Sequence, residues 1–328
     1  MSDFSRRKLI GHGAAALAFA PGLARAATTT PAPAPASTPA APDADQPQVS
    51  ETIQGFIDAT RRMTMDVTID GKGPFRFMVD TGADESIVST EVALALGLIH
   101  GDDVVVQGIS RAIPAPTAQL KNVVFGHVVI EELTVPVLPH SLLGADGYLG
   151  LDVIDGRKVT FDFLHEQIKV EQSDRISDWV HSSETVVRVN GSKGRLTAVN
   201  CWVDGVHAYA FIDSGAQMTI GNSRLFAALQ DRGATYLDKV TVPIIGVTGG
   251  EAPGRFTAID EIRLGQLSFY RSYLIIADLQ VFDIWGLANK PALFIGMNFL
   301  RQTDALIIDF GRKEFRFRTA SIRMASRA

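Results

Sequence analysis

Two short segments of this chain carry an aspartate followed by a hydroxyl residue, a glycine and an alanine: Asp80-Thr81-Gly82-Ala83 and Asp213-Ser214-Gly215-Ala216. Two carboxylates brought together can act as acid and base at once. If they lie about 3 Å apart they cannot both ionise, so one pKa rises, the other falls, and the pair holds a single proton. Such a pair can take a proton from water and give one to a carbonyl oxygen, with apparent pKa values that belong to the pair. A lone Asp-x-Gly is ordinarily a turn. Two matches to Asp-[Ser/Thr]-Gly-Ala in one chain of this length have chance odds of roughly one in ten thousand at average composition, so the recurrence asks for a structural reason.

The elements that must position these aspartates recur with them. Thr68-Ile69-Asp70-Gly71 leads into Phe75-Arg76-Phe77-Met78-Val79 before the first aspartate, and Trp202-Val203-Asp204-Gly205 leads into Ala208-Tyr209-Ala210-Phe211-Ile212 before the second. Asp-Gly between alternating apolar runs is a strong hairpin signal, so each aspartate is expected at the end of a hairpin's second strand. Downstream, Ser89 and Asn222 are expected N-caps for short helices over 91–96 and 224–229. Each copy then carries two apolar residues and a glycine, Tyr148-Leu149-Gly150 and Phe294-Ile295-Gly296, and closes on a strand with one aspartate, Asp162 or Asp309. The loop aspartates are 133 residues apart, the glycines 146 and the closing aspartates 147, so the chain reads as an internal duplication whose second copy has gained about 13 residues between loop and glycine.

This ordered set resembles the retropepsin-like aspartic proteases, specifically their periplasmic bacterial members, with two copies in tandem. The resemblance covers roughly Thr52 to Thr319 and is most specific at Asp80-Thr81-Gly82-Ala83-Asp84 and at the paired apolar-apolar-glycine segments. It implies a mostly β, bilobal acid-protease fold, two β-barrel lobes with short helices, and an aspartic endopeptidase in which Asp80 and Asp213 activate water. No cofactor or metal is implied. In that family Thr81 and Ser214 would hydrogen-bond across to the opposite loop. Gly82 and Gly215 would let backbone N–H groups approach the carboxylates. Gly150 and Gly296 would let a neighbouring strand pass close behind each loop.

Substrate is expected as an extended peptide in the groove between the lobes. Val106-Gln107-Gly108-Ile109 and Ile245-Gly246-Val247-Thr248-Gly249-Gly250 stand where the family places its flaps, which makes Gly108, Ile109, Gly246 and Val247 candidate substrate contacts. Asp84 matches the family's substrate-contacting aspartate, but Leu151 and Met297 stand where retroviral members place that residue's arginine partner, and the second copy has Gln217 in place of Asp84. The stretch 280–291, with Trp285, reads as lobe packing rather than a substrate pocket. Ala83 and Ala216 carry no hydroxyl to stabilise a charged carboxylate, so the pair is expected to work in weak acid, roughly pH 4 to 7.

Beyond the duplication, Ser5-Arg6-Arg7-Lys8-Leu9-Ile10 and Ala24-Arg25-Ala26 read as a Tat-type export leader over 1–26, implying a periplasmic or secreted protein. Its apolar stretch, Leu9 to Leu23, is short of the ~20 residues a span needs and contains His12, Gly13 and Pro21. Residues 27–48, rich in Ala, Thr and Pro, read as a disordered linker. Two lobes, 49–175 and 176–328, account for the rest.

Removing the leader takes away four basic residues and one acidic one and moves the formal charge from −5 to −8, which argues against nucleic acid as a partner. The single cysteine, Cys201, allows no internal disulfide and lies in an apolar run where a buried inert thiol is expected. The seven histidines show no ligand spacing. Two alternatives share the duplicated loops: a peptidase formed only when two chains pair, and a non-catalytic peptide-binding or scaffolding protein. Tethering both repeats in one chain favours a monomeric pseudo-dimer.

Overall fold

The computed structural model describes residues 17–18, 62–98, 101–173, 184–192, 195–237 and 241–319. The expected leader and linker lie outside the described residues apart from Leu17–Ala18, as does the expected boundary between lobes. Among the described residues the chain is mostly β, with helices of at most eight residues. None of those helices is long and apolar enough to cross a membrane.

Both Asp-Gly pairs make tight turns. Asp70 and Gly71 have φ of 52° and 73°, and Asp204 and Gly205 have 44° and 76°. Positive φ at both central residues is the type I′ pattern, whose twist matches that of the flanking strands. The turns join Thr64–Ile69 to Lys72–Val79 and Arg195–Val203 to Val206–Ile212. In each hairpin alternate residues face the interior: Met65, Val67 and Ile69 in one, Val206, Ala208, Ala210 and Ile212 in the other.

The first copy closes a six-stranded barrel. Its strands are Thr64–Ile69, Lys72–Val79, Gly147–Leu149, Ile87–Ser89, Val128–Leu138 and Thr117–Phe125, the last returning to the first. The second copy repeats the plan within a larger sheet. Val206–Ile212 runs parallel to Ala292–Ile295, as Lys72–Val79 runs parallel to Gly147–Leu149. These short parallel pairs put each aspartate beside its glycine: Asp80 N–H donates to Leu149 O at 3.0 Å, and Asp213 N–H to Ile295 O at 3.0 Å.

The two copies share a sheet at the base. Arg157–Asp162 of the first pairs antiparallel with Ala305–Asp309 of the second, from Lys158↔Asp309 to Asp162↔Ala305. Gln167–Gln172 extends one side, and Glu314–Arg318 with Glu184–Ser192 the other. Side chains add to the join: Arg301 forks onto Glu166 at 2.6 and 3.0 Å, and Ser173 Oγ donates to Asp309 at 2.5 Å. One apolar cluster, including Phe77, Phe125, Phe161, Phe299, Phe315 and Phe317, runs through both copies above this sheet.

The helices form where their caps direct. Thr90–Leu96 starts on Ser89, whose Oγ accepts from Val92 N–H at 3.1 Å, and Ser223–Gln230 starts on Asn222, whose Oδ1 accepts from Leu225 N–H at 2.9 Å. Each begins one residue earlier than expected. Gly97 ends the first helix at φ 66°, a left-handed conformation suited to glycine. Cys201 is buried and its thiol is pushed up to about 12 by that burial, which leaves it inert. Trp285 packs against Phe211 and Phe294, with ring centroids 4.6 and 5.2 Å apart.

Candidate active site

Each loop is a short excursion from the end of a parallel strand pair, and the two loops meet across the pseudo-twofold. Thr81 N–H donates to Ser214 Oγ and Ser214 N–H to Thr81 Oγ1, both at 3.1 Å. Thr81 Oγ1 donates to Ile212 O at 2.9 Å, while Ser214 Oγ donates to Val79 O at 2.7 Å. Each hydroxyl therefore accepts from one strand of the opposite copy and donates to it, and all the groups are buried. Such a network, fully satisfied in a dry interior, fixes register between the copies.

Asp80 and Asp213 stand on either side of this cross-bond, 0% and 1% exposed. Gly82 N–H donates to Asp80 Oδ1 at 2.8 Å. Gly215 and Ala216 N–H donate to Asp213 Oδ1 at 2.9 and 3.0 Å. The glycine of each loop also faces the other loop's carboxylate. A Cβ on Gly215 would lie 2.5 Å from Asp80 Oδ2, and one on Gly82 would lie 2.9 Å from Asp213 Cγ. Any larger residue would push the carboxylates apart. Asp80 Oδ2 is buried and takes no hydrogen bond from the described residues.

Burial dominates the electrostatics. It raises the Asp80 pKa to about 6 against the opposing pull of Gly82 N–H and the Arg62 charge. Asp213 is raised well above the usual carboxylate range, first by burial and then by the charge of Asp80. The cause at work here is removal from water, which is separate from the missing hydroxyls of Ala83 and Ala216 on which the weak-acid expectation rests. Arg62 sits nearby with Nη1 donating to Tyr148 Oη at 3.2 Å; that phenol is fully buried and donates to Leu143 O at 2.6 Å.

Behind the loops, the two glycines are closely matched. A Cβ on Gly150 would come within 2.6 Å of Glu85 C, and one on Gly296 within 2.6 Å of Met218 O. Backbone cannot yield as a side chain can, so alanine at either place is an overpacking that costs roughly 1–3 kcal/mol. The residue after each glycine ties back to its loop: Leu151 N–H to Ala83 O and Met297 N–H to Ala216 O, both at 2.9 Å. Asp84 O and Gln217 O accept from Asp152 and Asn298 N–H at 3.1 Å each.

Two residue pairs that the sequence reading passed over support the loops. Ser86 N–H and Oγ donate to the Asp152 carboxylate at 3.0 and 2.7 Å, and Ser86 Oγ accepts from Gly150 N–H at 3.0 Å. Thr219 N–H and Oγ1 both donate to Asn298 Oδ1 at 2.8 Å, and Thr219 Oγ1 accepts from Gly296 N–H at 3.0 Å. Their signal was present, because Ser86 and Thr219 differ by the loop offset of 133 and Asp152 and Asn298 by the glycine offset of 146.

The candidate flaps are hairpins, Val104–Gln107 with Ala112–Ala115, and Val242–Gly246 with the start of Glu251–Leu264. Their tips meet. Gly108, Ile109, Gly246 and Val247 are buried there, and Ile109 and Val247 belong to the same apolar cluster as Ala216, Met218 and Tyr148 beside the loops. Among the described residues no group of three or more His, Cys, Asp or Glu side chains is placed to hold a metal ion.

Two related lobes, each giving one buried aspartate to a shared centre, define the bilobal acid-protease architecture. An aspartyl protease family profile matches residues 65–153 and 199–299, one loop in each, and the chain belongs to that family as two tandem retropepsin-like copies. Among solved structures it is similar to the aspartic proteinase from Irpex lacteus, at 14% identity and a TM-score of 0.50, over 82% of this chain and 97% of that one. At that identity the likeness speaks for the fold. No curated protein matched the sequence.

Proposed function

We propose that this protein is an aspartic endopeptidase that hydrolyses peptide bonds by water activated between Asp80 and Asp213. The observation that carries the reading is the pair itself: two fully buried carboxylates from two copies, each turned toward the opposite loop's glycine, with pKa values raised by burial and, at Asp213, by the other's charge. A pair that holds one proton has a carboxylate to accept a proton from water and an acid to protonate the scissile carbonyl oxygen. The backbone N–H groups of Gly82, Gly215 and Ala216 orient the carboxylates through Oδ1. The Thr81–Ser214 cross-bond keeps them opposed, which is where the effective concentration of acid and base comes from. Substrate would be an extended peptide, held by backbone hydrogen bonds between the loops and the hairpin tips.

The test is peptide-library cleavage by the purified protein, with and without a statine-type inhibitor. Asp80→Asn and Asp213→Asn should each abolish cleavage while leaving the circular dichroism spectrum unchanged. The double variant should be little worse than either single, because the two groups act as a unit. Full activity in either single variant would overturn the intramolecular pair. A binding protein would instead keep its ligand affinity in all three.

A further inference from the structure

The hairpin tips are joined by contacts that neither hairpin makes alone. Arg111, on the turn of the first hairpin, donates from Nε and Nη2 to Thr248 O on the turn of the second, at 2.9 and 2.7 Å. Thr248 Oγ1 returns a hydrogen bond to Arg111 O at 3.1 Å. Three glycines make room for this. A Cβ on Gly108 would collide with Thr248 Oγ1, one on Gly250 with Ser110 Oγ, and one on Gly246 would lie 2.6 Å from Ile109 Cγ1. Ile109 is fully buried in an apolar cluster that draws residues from both copies, and its carbonyl accepts from Gln280 N–H at 2.8 Å. Gln280 opens the short helix Gln280–Ile284, which follows the strand Leu267–Ile276 as His140–Leu143 follows Val128–Leu138 in the first copy.

We propose that Arg111 is a positioning residue that latches the two hairpins into a single gate over the carboxylate pair, so that they open together and a peptide gains the cleft only when the Arg111–Thr248 fork breaks. A planar guanidinium spreads two donors onto one carbonyl and holds direction as well as distance, which a lysine does not reproduce. The gate has three bolts: the fork, the returned hydroxyl bond and the Ile109 carbonyl on Gln280. In the arrangement that these three contacts hold, both carboxylates are buried. The gating role rests on reading the cleft as a peptide site; the coupling of the hairpins does not.

Amide hydrogen exchange on the full chain separates the two. Arg111→Ala should raise exchange by roughly tenfold in peptides covering 104–115, 242–254 and 278–284 together, the scale of losing a hydrogen bond to a charged group. Thr248→Val keeps the carbonyl and drops only the returned bond. It is nearly isosteric at a buried position, and should raise exchange in the same three segments by a smaller factor. Arg111→Lys should restore part of the protection. The association rate of a statine-type inhibitor should rise with the exchange rate in each variant. Faster exchange confined to 104–115 in Arg111→Ala, or to 242–254 in Thr248→Val, or no change in either, would overturn the latch. Coupled exchange with an unchanged association rate would overturn its gating role. If the parent protein binds no such inhibitor, the peptidase reading fails while the exchange result still decides the coupling.

Discussion

Four carboxyl groups around the first loop and its partner have pKa values raised by burial: Asp80, Asp213, Asp152 and Glu85. For Glu85 the value is about 7, with burial first among the causes and the charges of Asp152 and Asp84 behind it. A carboxyl raised in the folded state binds its proton more tightly there than in the unfolded chain. Its stabilising contribution is therefore complete below the unfolded pKa, near 4.5 for Glu85, and is lost as pH rises through about 7. Glu85→Gln should leave the melting temperature unchanged at pH 4 and raise it at pH 8, measured by calorimetry at both. A variant that melts lower at pH 8 would mean that the charged form of Glu85 has a stabilising partner. The same linkage shapes catalysis. With Asp80 raised to about 6 and Asp213 also raised well above the usual carboxylate range, both mainly by burial, the pair keeps a proton to higher pH than two exposed carboxylates would.

At the scale of elements, the most informative comparison is between Ser86–Asp152 and Thr219–Asn298, which hold the two loops by the same bonds with different chemistry. Asn298 shows that an amide oxygen suffices to accept from both backbone N–H and hydroxyl. Asp152→Asn should therefore keep kcat/KM within a few-fold at neutral pH, while Asp152→Ala, which leaves the Ser86 donors without that acceptor, should lower stability by about 1–3 kcal/mol. Urea denaturation and steady-state kinetics on both variants check this, and equal damage from the two would mean that the carboxylate's charge is needed. Much of this level was legible in the sequence. Hairpin turns at Asp70-Gly71 and Asp204-Gly205 and caps at Ser89 and Asn222 are local matters, decided by the φ a residue tolerates and the donors within three residues of it. The latch was not legible. Arg111 and Thr248 are 137 residues apart, sit in turns without periodicity, and meet through a backbone carbonyl that any residue would supply. Gln280 was hidden for the same reason, since it gives the Ile109 carbonyl a main-chain N–H. The Ser86 and Asp152 pairs lie between these cases, written in the offsets but polar and short, and so without an apolar pattern to draw notice.

The whole molecule joins its halves at three places, the sheet at the base, the Thr81–Ser214 cross-bond and the hairpin tips, and all three joins lie within one chain. Cleavage per molecule should therefore be independent of protein concentration from micromolar to low nanomolar. A fall in specific activity on dilution, alongside a dimer in light scattering, would point to pairing between chains instead. Being one chain also frees the halves from matching. Gln217 stands in the second copy where Asp84 stands in the first, Asn298 where Asp152 stands, and the helix Gln280–Ile284 is separated from its following strand by a longer loop, 285–291, than its counterpart His140–Leu143 is, 144–146. A peptide runs from its amino to its carboxyl end, whereas a site with true twofold symmetry offers it two identical ways to lie. With unlike halves the cleft acquires a left and a right, and a bound chain acquires a preferred direction of travel through it.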